Sequence, residues 1–379
     1  MSAGRHRFRD WCLRHLARPT PAQAFVPQID GLRCVAILSV MLYHVQGYVV
    51  VKSGLAGESA LHLLFAQGHY GVPLFFALSG YIITCQFLGP RPVELQRYFI
   101  RRITRLEPPY VISLLLVFIA KLWLLDLTFP DFFPHLLASL VYLHNVIFAT
   151  HSEVNGVAWS LEIEWQFYLL APLALAGALR MRGVGREIML WLLILLGGLA
   201  HAHAREFGPR FGLSLLHYFG FFVAGAWVAL HEAVDRRVSV SWRFDALGFI
   251  TIVATLFALV SESRGLIALP ALTALIVFCA LRGPYLRRVL GWWPIHCIGA
   301  MCYTIYLYHF FVVSISGRLY ASAFGWSASP DISLASFALL TVPIVLAACL
   351  LPYLLIERPF MVWRPGKNRL VDAYSVQPA

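Results

Sequence analysis

The chain has 379 residues, 59% of them hydrophobic and only 13% charged, with a mean hydropathy of +0.71. These values exclude a soluble globular enzyme and indicate an all-α, polytopic transmembrane helical bundle. The formal charge of +11 would suit a nucleic-acid binder, but Lys and Arg sit in short clusters between apolar runs, as cytoplasmic loops do, so no nucleic-acid partner is expected.

Residues 1–28 carry Arg5, Arg7, Arg9, Arg14 and Arg18 among Phe8, Trp11 and Leu13. They read as a basic cytoplasmic segment that either lies on the anionic inner leaflet or forms a disordered tail. The first span follows near 29–50. It is full length, contains Arg33 and lacks a small-residue cleavage site, so it is expected to stay as an anchor. Arg33 and His44 are eleven residues apart, about three helical turns, which places both on one face roughly 16 Å apart. Ionisable groups inside a span cost at least about 2.5 kcal/mol for a central Arg and are therefore functional candidates. The structural alternatives are a snorkelling Arg and an imidazole bonded to a nearby carbonyl.

The second span, near 70–89, contains Ser79-Gly80. Such small residues either let helices approach closely or, through the Ser79 hydroxyl, donate to a bound acyl carbonyl. Next come Arg91, Arg97, Arg101, Arg102 and Arg105. The last three are either an inner-face anchor or a fork for multiply charged phosphates. A third span is predicted to begin at Pro108-Pro109, where proline fits a first helical turn, and to end near Leu125.

Segment 132–149 is interrupted by Pro134 and is polar at His135, His144 and Asn145; it is expected to be a re-entrant or surface helix on the outer side. Segment 157–179 then crosses and carries Trp159-Ser160-Leu161-Glu162-Ile163-Glu164. Glu164 lies roughly 10 Å from the outer end of its span and His44 roughly 22 Å from the inner end of its own. In a core about 30 Å thick these depths match, so Glu164 could fix the imidazole tautomer or form a structural salt bridge.

Further spans are expected near 187–204, 211–231, 244–261, 266–281, 292–315 and 332–355, giving about ten in all. This topology places 23 Lys and Arg residues inside and five outside. An eleventh span would send the clusters at 180–186, 236–243 and 282–288 outward, so ten is preferred and both termini are cytoplasmic. In the ninth span Tyr306 and His309 share a face. Residues 29–359 read as one membrane domain and 360–379 as a cytoplasmic tail. The seven cysteines have no CxxC or zinc-ligand spacing, so no metal site is expected.

Several of these motifs match one family in order. Asp30-Gly31-Leu32-Arg33 with His44, Phe75-Phe76-Ala77-Leu78-Ser79-Gly80, Arg102-x-x-Arg105-x-x-Pro108, Trp159-Ser160-Leu161-x-x-Glu164-x-x-Phe167-Tyr168, Tyr303-x-x-Tyr306-Leu307-x-His309 and Glu357-x-Pro359 resemble the integral-membrane acyltransferase-3 family. Cys34, Glu162, Trp165 and Cys302 depart from its pattern. The resemblance implies a multi-pass protein of the bacterial inner membrane. It would move an acyl group, with acetyl favoured, from cytosolic acyl-CoA to a hydroxyl of an extracytoplasmic or lipid-linked carbohydrate. Acyl-CoA is then a co-substrate and no cofactor is permanently bound.

On this reading Arg101, Arg102 and Arg105, with Arg33, hold the donor phosphates. His44 is the general base, oriented by Glu164, and Arg33 completes the catalytic set. Ser79, Trp159, Ser160, Tyr306 and His309 line the cavity and supply oxyanion donors. A covalent acyl-enzyme route stays open. The alternatives are a proton-coupled transporter of a glycan or anionic lipid-linked substrate and a non-catalytic scaffold. Contact with membrane lipid is expected, and homo-oligomer formation is left open.

Overall fold

A computed structural model describes residues 2–19, 25–54, 59–89, 92–125, 127–234, 240–261 and 263–363. Among the described residues there are helices and no strands. Helix α1 (Ser2–His15) precedes the central α2 (Pro27–Ser53). Pro27 opens α2, where its missing N–H costs no helical bond, and Gly54 closes it at φ 69°. The short α3 (Ala60–Ala66) and a 3-10 turn (Gln67–Tyr70) lead into α4 (Gly71–Phe87).

Helix α5 (Leu95–Leu124) has 30 residues and runs straight through Pro108 and Pro109. The expectation that these prolines start the third span is therefore corrected: Arg97 to Arg105 already lie in the helix. Two adjacent prolines leave carbonyls of the preceding turn without N–H partners. The Tyr303 hydroxyl donates to Leu106 O at 2.9 Å, adding an outside donor at that weakened turn.

Helix α6 (Phe129–Leu140) has 12 residues, about 18 Å, too short to cross a core of about 30 Å. It is followed by the single-turn α7 (His144–Phe148), so the 132–149 stretch folds as two short helices. Tyr142 and Ala149, on either side of α7, take left-handed backbone angles (φ 58° and 55°), which are costly for side chains of this kind. The Tyr142 ring stacks on Tyr110 of α5, centroids 4.8 Å apart, and holds that turn down.

The remaining helices are α8 (Ala158–Arg180), α9 (Gly183–Ala202), α10 (Pro209–Gly212), α11 (Leu215–Val234), α12 (Trp242–Val260) and α13 (Ser263–Leu266). Helices α14 (Leu269–Arg282) and α15 (Pro284–Leu290) meet at a bend of 88°, and α16 (Trp293–Ala300) and α17 (Cys302–Phe324) at 74°. Helix α18 (Pro330–Pro352) passes through a π-helical turn (Tyr353–Glu357) into α19 (Arg358–Val362). Seven described helical stretches are long and apolar enough to cross a membrane, or nine if each bent pair is one span. Helix α8 has 23 residues, and Glu162, Glu164 and Gln166 lower its hydropathy. Counted with the nine, it accounts for each of the ten predicted segments.

Helices in lipid gain little from hydrophobic burial against one another and associate by close backbone packing. A Cβ at Gly225 of α11 would collide with Ala77 O of α4, and one at Gly80 with Phe222 O, so these glycines set the α4–α11 contact. Gly299 of α16 similarly admits the Asp30 carbonyl of α2.

Over the described residues the N-terminal segment is docked on the helical bundle and is not a loose tail. Cys12 and Leu16 are buried in the main core, Tyr353 donates to Leu16 O at 2.8 Å, and Phe8 packs edge-on against Trp293. From residue 364 onward the predicted tail lies outside the described residues.

Candidate active site

A pocket opens among α2, α4, α5, α8 and α17, lined by side chains from all five. Each helix contributes polar groups at spacings that its periodicity dictates. Helix α8 presents Ser160, Glu164 and Tyr168, four residues apart and therefore on one stripe. Helix α5 presents Arg102 and Arg105, α2 Arg33, α4 Ser79, and α17 Cys302, Tyr303 and Tyr306. Gly80 brings α11 against one side of α4, and the adjacent Ser79 meets α8: its hydroxyl donates to Glu164 Oε1 at 2.5 Å.

The lining holds three guanidiniums and one carboxylate. Arg102 donates to Gln86 Oε1 at 3.0 Å and is clamped over the rings of Tyr98 and Tyr168, 5.0 and 4.9 Å from their centroids. Arg33 donates to Asp30 Oδ1 at 2.8 Å. Arg105 makes no hydrogen bond to the described protein, and its Nε is buried without a partner. Glu164 Oε1 accepts from Ser79 and from the Tyr168 hydroxyl, whereas Oε2 has no protein donor among the described residues.

Beyond Tyr306 the cavity gives way to a pair of imidazoles. The Tyr306 hydroxyl donates to Val157 O at 3.0 Å and shares a hydrogen bond with Ser160 Oγ at 2.6 Å, and its ring centroid is 5.8 Å from that of His309. His309 is fully buried and its Nδ1 lies 2.9 and 3.0 Å from Tyr306 O and Ile305 O. Because carbonyls only accept, Nδ1 carries the proton and Nε2 presents a lone pair, with no partner in the interior. The ring of His44 sits 5.1 Å from that of His309, flanked by Tyr43 and Phe310.

A family model described as an acyltransferase domain matches residues 26–357. The chain belongs to the acyltransferase-3 family. Similar proteins include the peptidoglycan O-acetyltransferase OatA of Listeria monocytogenes serovar 1/2a, 27% identical over 335 residues, covering 78% of this chain and 50% of that protein. A putative O-acetyltransferase of Staphylococcus aureus strain COL is 26% identical over 330 residues, covering 78% and 52%. The O-acetyltransferase OatA of Staphylococcus aureus strain NCTC 8325 is 24% identical over 328 residues with the same coverage. The chain spans about half the length of the curated relatives it matches. No solved structure matches it.

Of the motif residues of this acyltransferase-3 chain, Arg33, Ser79, Arg102, Arg105, Ser160, Glu164 and Tyr306 converge on the one cavity. His44 and His309 sit next to it as a pair, and Arg101 is exposed outside it. Trp159 also lies outside the lining: its ring packs on His151 and Tyr218, and its carbonyl accepts from Asn145 Nδ2 at 2.8 Å. The expected His44–Glu164 pairing is corrected, since no hydrogen bond or ion pair joins them among the described residues and Glu164 is held instead by Ser79 and Tyr168. Glu164 lies on the α8 stripe that also presents Ser160 and Tyr168 to the cavity lined by Arg33, Arg102 and Arg105.

Glu162, one of the departures from the acyltransferase-3 pattern, is fully buried and accepts from the Asn145 N–H at 2.8 Å, so it braces α7 on α8. Sequence reasoning missed Tyr168 as a cavity residue, although its spacing from Ser160 and Glu164 marked it, and missed Asp30 and Arg18, for which no periodicity gave a sign. In the segment outside the spans, His144 Nε2 lies 2.9 Å from His135 Nδ1 and His144 Nδ1 lies 3.3 Å from Thr150 O. Burial and then the neighbouring His135 lower the His144 pKa, against the opposing pull of Thr150 O and Glu153.

Proposed function

We propose that the chain is a membrane O-acyltransferase that takes an acyl group, acetyl first among them, from a coenzyme A thioester on the cytoplasmic side and passes it to a carbohydrate hydroxyl on the outer side. The observation that carries this reading is Arg105, a guanidinium in the cavity with no hydrogen bond to the described residues, beside Arg33 and Arg102. Guanidinium forks recognise phosphate oxygens bidentately, and a coenzyme A thioester combines phosphates at one end with a slender arm that could extend past Tyr306. The names of the relatives make cell-wall glycan the first acceptor to test.

On this reading the thioester end lies between Tyr306 and the His309–His44 pair. The acceptor oxygen attacks the thioester carbonyl while His44 takes its proton. The C–S bond then breaks, and the coenzyme A thiolate recovers a proton as it leaves. The hydroxyls of Tyr306 and Ser160 are placed to donate to the oxyanion. His309, with Nδ1–H committed to backbone carbonyls, offers Nε2 to hold the second imidazole or accept from it. Glu164 orients Ser79 and offsets part of the positive charge around the donor. In inside-out membrane vesicles given labelled acetyl-coenzyme A, His44→Ala should abolish transfer of label to glycan while the protein remains inserted. Transfer at the wild-type rate would refute the mechanism.

A further inference from the structure

We propose that Arg18, carried by the docked N-terminal helix, is a fourth phosphate ligand of the donor site, so that the segment before the family-matched residues forms part of the coenzyme A binding surface. This inference rests on the donor reading above.

Arg18 is delivered to a fixed place. Its helix is tied down by Tyr353 to Leu16 O and by Arg358 to Arg14 O, with Cys12 and Leu16 buried beneath. From there Arg18 Nε donates to Asp30 Oδ1 at 3.1 Å, the same oxygen that Arg33 Nη1 holds at 2.8 Å. Arg18 thus stands one carboxylate away from the cavity residue Arg33, outside the lining itself.

A structural anchor does not account for this arrangement. Arg33 already pairs with Asp30 within one turn of α2, so the carboxylate is neutralised before Arg18 arrives. Arg18 adds a second guanidinium, only 14% exposed, whose Nη2 is buried without an acceptor among the described residues. Leaving a charged donor dry and unpaired is costly.

The imbalance extends across the cluster. Arg18, Arg33, Arg102 and Arg105 bring about twenty N–H donors. Among the described residues only three hydrogen bonds are made from them, by Arg18 Nε, Arg33 Nη1 and Arg102 Nη2. The acceptors that would satisfy such a surplus are those of a polyanion, and the chemistry that fits is a diphosphate or phosphate ester at the end of an extended acyl carrier. Arg18 lies before residue 26, where the family match begins, so this contact would come from outside the matched residues.

The test is calorimetric titration of the full-length protein in detergent with coenzyme A and, separately, with pantetheine, which lacks the phosphates. Arg18→Gln should weaken coenzyme A binding at least tenfold and leave pantetheine binding unchanged. Arg18→Lys, which keeps the ion pair with Asp30 but loses the fork, should weaken it severalfold, and it decides the matter if Arg18→Gln does not fold. Wild-type coenzyme A affinity in a folded Arg18 variant, alongside a loss in Arg105→Gln, would overturn the role of Arg18 and spare the donor reading. A wild-type protein that binds no coenzyme A would overturn both.

Discussion

Replacing Asp30 by Asn removes the one carboxylate that Arg18 and Arg33 share, at 3.1 and 2.8 Å. Asp30 is 3% exposed. Breaking a buried ion pair by removing one partner costs about 3–5 kcal/mol, because the other charge is left uncompensated. Here the two guanidiniums keep 14% and 11% of their surface, and water reaching them reduces the penalty to about 3 kcal/mol, a factor of more than a hundred in the folded-to-unfolded ratio. A polyanionic ligand should return part of that loss. At a hundredfold excess over its dissociation constant a ligand stabilises the fold by about 2.7 kcal/mol, and the variant, with two more unpaired cations, should gain more than the wild type. Thermal unfolding of the detergent-purified proteins over rising coenzyme A therefore starts with Asp30→Asn well below wild type and ends with the gap narrowed. Equal midpoints without ligand, or a gap that coenzyme A leaves untouched, would refute the argument.

Glu164→Gln removes the only carboxylate from a lining that holds three guanidiniums; at an effective dielectric of about 20 and a separation of about 8 Å this is worth about 2 kcal/mol, so calorimetry should show coenzyme A binding at least tenfold tighter, and unchanged or weaker binding counts against the charge account. Tyr306→Phe deletes the hydroxyl shared with Ser160 and Val157. Acyl transfer should fall by about ten- to a hundredfold with coenzyme A affinity retained, and a parallel loss of both would show that the hydroxyl serves only the fold. In the α6–α7 segment, burial and His135 favour neutral His144. Its folded pKa lies below the ordinary value of about 6.5, so its contribution to stability is complete above that pH and is lost as pH falls below it toward the folded value. Limited proteolysis at residues 141–151 should accelerate over that acidic range in the wild type and show less pH dependence in His144→Gln.

Much of the helical architecture was legible because apolar run length reports directly on the thickness a span must cross. The cavity was legible residue by residue: Arg33, Ser79, Arg102, Arg105, Ser160, Glu164 and Tyr306 were all named from motif and helical spacing. What spacing could not give was rotation. Glu164 does not face His44, because the α8 stripe of Ser160, Glu164 and Tyr168 faces the cavity that α4 and α5 also line. Arg101 and Arg102 are adjacent in sequence and therefore point about 100° apart, one outward and one into the cavity. The docking of α1 had no periodic signature, since its anchors are carbonyl contacts from Tyr353 and Arg358 far along the chain.

Tyr306 and His309 stand three residues apart on α17, a rise of about 4.5 Å. If the donor reaches the first from the cytoplasm and the acceptor reaches the second from outside, that single turn is the insulating wall between two aqueous compartments, and most of the transmembrane voltage drops across it. A proton or developing negative charge displaced through the wall then does electrical work, about 2.3 kcal/mol for one charge at 100 mV. On the function proposed above, acyl transfer would then slow in depolarised membranes even where acyl donor is abundant.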